Sequence, residues 1–205
     1  MGIFDPNNGF FRTISRMVDV VGLSLIWFFL CLPVVTVGPA TAALYRTVVA
    51  ILYEDGDEVF IRYFRSFREN LRVGIPAGII AEILGVLLTY GFVIMYAHRG
   101  GGMEALTYAI YYIAMILPLG TACYLFPLLG RFTFGVKGLY ITALQMALAH
   151  LPTTIAVVAV TIGSFLFMAN KLWAIFFMPY FMSVMAAFLL ERVFRKHLPG
   201  ERTEE

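Results

Sequence analysis

The chain has 205 residues, 60% of them hydrophobic and 14% charged, with a formal net charge of +2. A soluble domain of this size carries about half apolar and about a quarter charged residues. The composition therefore excludes an ordinary water-soluble domain and makes lipid the expected solvent, with Cys31 and Cys123 read as small buried hydrophobes rather than a disulfide or metal pair.

The first apolar run begins after Arg16 and leads into Leu32-Pro33-Val34-Val35. That is no small-x-small cleavage site, so the N-terminus is expected to be retained. Met17–Leu32 is 16 residues, about 24 Å as a helix, while Ala40–Tyr53 is shorter and carries Arg46. Each arm alone is marginal for a hydrocarbon core of about 30 Å. Between them stands the stretch LPVVTVGPATAAL. Pro33 frees a carbonyl one turn earlier, and Gly38 tolerates a positive φ. Pro39 suits the start of a second helix, while Thr36 can satisfy backbone groups in a dry setting. The chemistry is that of a bent helical hairpin over residues 10–53.

Residues 57–72 turn polar and amphipathic. Phe60, Phe64, Phe67 and Leu71 fall on one helical stripe, with Arg62, Arg65, Glu69 and Arg72 opposite. Together with Arg68 they predict an interfacial helix on the cytoplasmic face. Its Phe side is expected to pack on the chain's own spans, and its arginines to meet anionic membrane lipid or a partner. The patch is short and has no recognition fold around it, so nucleic acid is not an expected partner.

Four runs then read as spans: 73–97, 105–130, 138–168 and 172–190, followed by a charged tail over 191–205. The first contains Gly74 and Gly78, a GxxxG spacing that lets a second helix approach closely, within the chain or in a homo-oligomer. The third exceeds one straight span, and His150-Leu151-Pro152 predicts a kink. The expected fold is thus an all-α polytopic bundle with four spans, the N-terminal hairpin (five or six membrane segments in all) and one cytoplasmic amphipathic helix.

Charge placement orients it. If Met17–Leu32 crosses alone, four of the 15 Lys and Arg (Arg12, Arg16, Arg99, Lys171) lie opposite the other 11. If the arms form a hairpin, Arg12 and Arg16 join the majority, giving 13 against two. The positive-inside rule favours the hairpin, with both termini cytoplasmic and the bend pointing away from the cytoplasm. A re-entrant loop satisfies the same count.

Asp19, Arg46, Glu82 and His150 are the residues whose cost in lipid demands an account. The expectation is an intramembrane polar network, with Arg46 paired to Asp19 or Glu82, serving as glue between helices or as a substrate pathway. A lone His without ligand-spaced neighbours predicts no metal. Glycine-rich phosphate loops, HExxH and GxSxG are absent from the sequence, and its intramembrane carboxylates occur singly. No enzyme and no cofactor are expected.

One likeness is specific. A Phe-rich lead-in, LPVVTVGPATAALY, an acidic turn and FxxxFxxFxxN (Phe60, Phe64, Phe67, Asn70) resemble the YesL family of small bacterial membrane proteins, most strongly over residues 10–72. The family's domain has no assigned function. The resemblance implies a bacterial cell-membrane location and an accessory role beside permease subunits of carbohydrate importers of the ATP-binding-cassette type. The competing expectations are a small transporter or channel using Glu82 and Arg46, in an oligomer, and an enzyme acting on lipid-linked sugar, for which no residue speaks.

Overall fold

The computed structural model describes residues 9–53, 58–97 and 105–197. The acidic turn with Asp57, the loop carrying Arg99 and the end of the tail lie outside them. Among the described residues the chain is helical, without strands. The seven α-helices are α1 (Gly9–Cys31), α2 (Val37–Tyr53), α3 (Val59–Ala97), α4 (Ala105–Arg131), α5 (Val136–Ala149), α6 (Leu151–Asn170) and α7 (Met178–His197). Short 3-10 turns at Val34–Thr36 and Leu172–Phe176 precede α2 and α7. Four segments are long and apolar enough to cross a membrane: Val34–Tyr53, Val59–Ala97, Thr107–Arg131 and Leu151–Asn170.

The fold is built around α2. Every residue from Ala42 to Ala50 is buried, and α2 touches α1, α3, α4 and α7. Its small side chains let backbones come close. A Cβ on Gly38 would lie 2.4 Å from the Gly74 carbonyl, and one on Gly130 would lie 2.6 Å from that of Ala42. The hairpin expected between α1 and α2 is present, but its chemistry differs from expectation. Gly38 is helical and serves close approach to α3, not a left-handed bend. Pro39 is the third residue of α2, whose helix already starts at Val37. The turn itself is made by Pro33 (φ −76°, ψ 103°), and the single Thr36 hydroxyl proton is shared between the carbonyls of Leu30 and Pro33. The Leu30 carbonyl is one that the end of α1 leaves open.

The amphipathic segment is not a separate helix. It runs unbroken through Arg72 into the apolar run, making α3 39 residues long, about 58 Å. Its buried stripe is Tyr63, Ser66, Asn70, Gly74 and Ala77, not the Phe stripe. Phe60 and Phe67 are half-buried, while Phe64 stays 50% exposed. Close approach to α2 uses the small residues Gly74 and Ala77, and the hydroxyl and amide groups of the stripe bond to backbone carbonyls. Tyr63 donates to the Ala40 carbonyl at 3.2 Å and the Asn70 amide to the Ser66 carbonyl at 2.8 Å. Gly74 and Gly78 are thereby used within the chain.

Two further boundaries are corrected. The run over 138–168 divides at His150, whose backbone (φ −126°, ψ 52°) leaves the helical region, with Pro152 in the first turn of α6. The last segment, expected over 172–190, begins as a 3-10 turn, and α7 then carries four charged residues, Glu191, Arg192, Arg195 and Lys196, in its last turns. α7 is therefore not among the four apolar crossing segments.

Candidate functional site

Two places gather chemistry. The first is a buried charge cluster where α2, α4 and α7 meet. Arg131 ends α4, where a cation is favoured by the helix dipole. Its Nη2 lies 3.0 Å from Glu191 Oε2, with both side chains only 3% exposed. The Tyr45 hydroxyl donates to Glu191 Oε1 at 3.0 Å. Arg46 follows Tyr45 on α2 and is buried against Gly130, whose notional Cβ would lie 3.5 Å from Arg46 Cβ. Phe194 closes the cluster, edge-on to Tyr124 and Phe132 with ring centroids 6.3 and 6.1 Å away. A carboxylate clamped by a guanidinium and a phenol under aromatic rings is built to join helices. No reacting group is presented to solvent there.

The four residues expected to form an intramembrane network do not converge. Arg46 is 7% exposed on α2. Asp19 is half-buried on α1, and Glu82 lies on α3 with its Oε1 buried and without a hydrogen-bond partner there. His150 ends α5, its carbonyl accepting from the Thr154 N–H at 2.9 Å and the Thr154 hydroxyl at 3.0 Å. No group of three metal-type side chains gathers among the described residues. Arg131 and Glu191 were not singled out as site residues in the sequence. The available signal was position: each is the first charge after a long apolar run.

The second place is the surface of α3. Arg65, Arg68 and Arg72 are exposed beside Ile61 and Phe64, and beyond them Ile83, Val86, Leu87, Tyr90 and Val93 are exposed too. One helix therefore carries a basic, aromatic face continuous with an apolar one. Residues 20–92 match the family model described as protein of unknown function, DUF624. The DUF624 match takes in the second half of α1, the Pro33–Thr36 turn, α2 and α3 as far as Phe92. No curated protein and no solved structure shows significant similarity to the chain.

Two cavities lie between the helices. One of about 240 Å³ lies between α1, α2, α4, α6 and α7. Within it, Trp27 Nε1 donates to Thr41 Oγ1 at 3.1 Å and Cys123 Sγ lies 3.7 Å from Thr161 Oγ1. The other, about 350 Å³, opens between α3, α4 and α5.

Proposed function

We propose that this protein is a non-enzymatic multi-pass protein of the bacterial cell membrane, a YesL-type accessory or regulatory partner of a carbohydrate ABC importer. The observation that carries the reading is α3, a single helix whose exposed face runs from Arg65 through Tyr96. A partner with helices in the bilayer and an acidic cytoplasmic surface would meet both halves of that face at once. The DUF624 match is consistent with the YesL resemblance, and the importer link comes from that resemblance. In-cell crosslinking from an exposed position such as Arg68, followed by mass spectrometry under inducing sugar, is expected to recover permease subunits. Recovery of lipid adducts alone would remove the partner from the proposal.

The orientation that fits is cytoplasmic termini with a re-entrant α1–α2 hairpin. Gly38 packs on Gly74 and Gly78, at the inner end of the 73–97 run, from which α3 continues for 19 more residues. The bend exposes Leu32, Val34 and Val35, apolar side chains suited to lipid rather than water. In a chain with Cys31 and Cys123 replaced by Ser, Thr36→Cys is expected to resist membrane-impermeant maleimide from either side. Labelling from outside would establish a fully spanning hairpin instead.

A small transporter or channel is the second reading, favoured by the unpartnered Oε1 of Glu82. Proteoliposome flux abolished by Glu82→Gln would support it; flux indifferent to that change would count against it.

A further inference from the structure

Glu82 stands in the apolar run of α3, about 14 Å along the helix from Val73. Its Oε1 is buried without a hydrogen-bond partner among the described residues. A carboxyl oxygen in a dry setting is costly until a donor meets it. Thr89, two turns further on, is satisfied by its own helix, its hydroxyl donating to the Gly85 carbonyl at 2.8 Å.

The place of Glu82 around α3 shows where a donor would come from. At about 100° per residue, Phe64, Arg68, Ile79, Glu82, Val86 and Val93 fall within about 60° of one another. Phe64, Arg68, Val86 and Val93 are exposed, whereas Ile79 and Glu82 are half-buried. Arg72, also exposed, lies about 40° further round than Arg68. Glu69, one turn after Arg65, offsets one charge and leaves Arg68 and Arg72 in excess. One stripe thus runs from a basic end, through apolar side chains, to an open carboxyl about 21 Å from Arg68.

Whatever covers the stripe must match both polar points. Lipid tails offer no donor to Glu82, and a headgroup held at Arg68 is too far away to supply one. A second copy laid in parallel on the same stripe would set Arg68 against Arg68 and Glu82 against Glu82, and like charges repel. We infer that the stripe seats a transmembrane helix of another protein, with an acidic side chain level with Arg68 and an asparagine or glutamine level with Glu82. An amide both donates and accepts, so it bonds the carboxyl in either protonation state. The inference rests on the proposal that α3 meets a membrane partner, and not on which partner that is.

Fluorescence energy transfer in bicelles, between the labelled full chain and a labelled leucine–alanine helix, is the test. The probe helix carries a glutamate at one end and an asparagine about 14 residues away, the separation of Arg68 and Glu82. One control replaces the asparagine by leucine, the other the glutamate by glutamine. Wild type is expected to bind the probe about three- to fifteenfold more tightly than the leucine control, and about two- to fivefold more tightly than the glutamine control. Glu82→Leu removes an unbonded polar atom and is expected to keep its melting temperature. In that variant the asparagine preference is expected to vanish and the glutamate preference to remain; Arg68→Gln with Arg72→Gln is expected to do the reverse. A wild type indifferent to the asparagine, or an asparagine preference that survives Glu82→Leu, overturns the inference. A glutamate preference alone does so too, while leaving the partner reading of α3 in place; crosslinks from Arg68 to lipid alone would remove both.

Discussion

Glu191 joins three helices through one carboxylate, which takes both the Arg131 guanidinium and the Tyr45 hydroxyl. Removing one member of a buried ion pair costs far more than the pair contributes, because the other charge stays in a dry site. Glu191→Gln is therefore expected to destabilise the protein by about 3–5 kcal/mol in detergent unfolding, whereas Tyr45→Phe loses one hydrogen bond and about 1–3 kcal/mol. The glycines give a sharper contrast. Gly38→Ala drives a Cβ to 2.4 Å from backbone and is expected to cost about 1–3 kcal/mol. Gly85→Ala meets nothing and gains helix propensity, so its melting temperature is expected to hold or rise. The cluster was only half legible in the sequence. Arg131 and Glu191 could be seen as the charges that end apolar runs, but a single chain does not reveal which ends meet. Arg46, a cation whose place in an apolar run demands an account, is buried on α2 beside Gly130.

At the scale of elements, the apolar runs and the Pro33–Pro39 bend were readable from composition and proline position. The contact faces were not. A Phe stripe at helical spacing predicts the buried side when large residues fill the gap between helices. Here α2 offers the Ala40 carbonyl to Tyr63 and comes close at Gly74 and Gly78, so the stripe that takes the contact is Tyr63, Ser66, Asn70, Gly74 and Ala77. Asn70, the last residue of the FxxxFxxFxxN pattern, is buried while Phe64 is exposed. The turn before α2 depends on one hydroxyl. Thr36→Val keeps the shape and removes the single O–H donor, and is expected to cost about 1 kcal/mol, with Thr36→Ser near wild type in the same unfolding assay. α3 begins after Glu58, which holds a left-handed φ of 58°. Glu58→Gly relieves that conformation and is expected to stabilise the chain by up to about 1 kcal/mol.

Over the whole molecule, the DUF624 match covers α2 and two of the helices packed on it, α1 and α3, whereas α4 and α7, which also pack on α2, lie beyond the matched residues. Charge asymmetry in the sequence favoured a hairpin with cytoplasmic termini, and a reporter fused after Glu205 is expected to read cytoplasmic while one inserted at 98–104 reads external. Opposite signals would invert the whole topology. The long separation between Tyr45 and Glu191 has a consequence in time. Glu191 is made 60 residues after Arg131 (191 − 131) and 146 after Tyr45. At 5–20 residues per second, Arg131 waits about 3–12 s for its carboxylate. During synthesis α4 must remain in the membrane with that guanidinium unclamped, so a chain that stalls before α7 presents a ready substrate to membrane proteases. In a pulse-chase experiment, a chain truncated before α7 is expected to be degraded faster than the full chain, in which Glu191 reaches Arg131 and Tyr45.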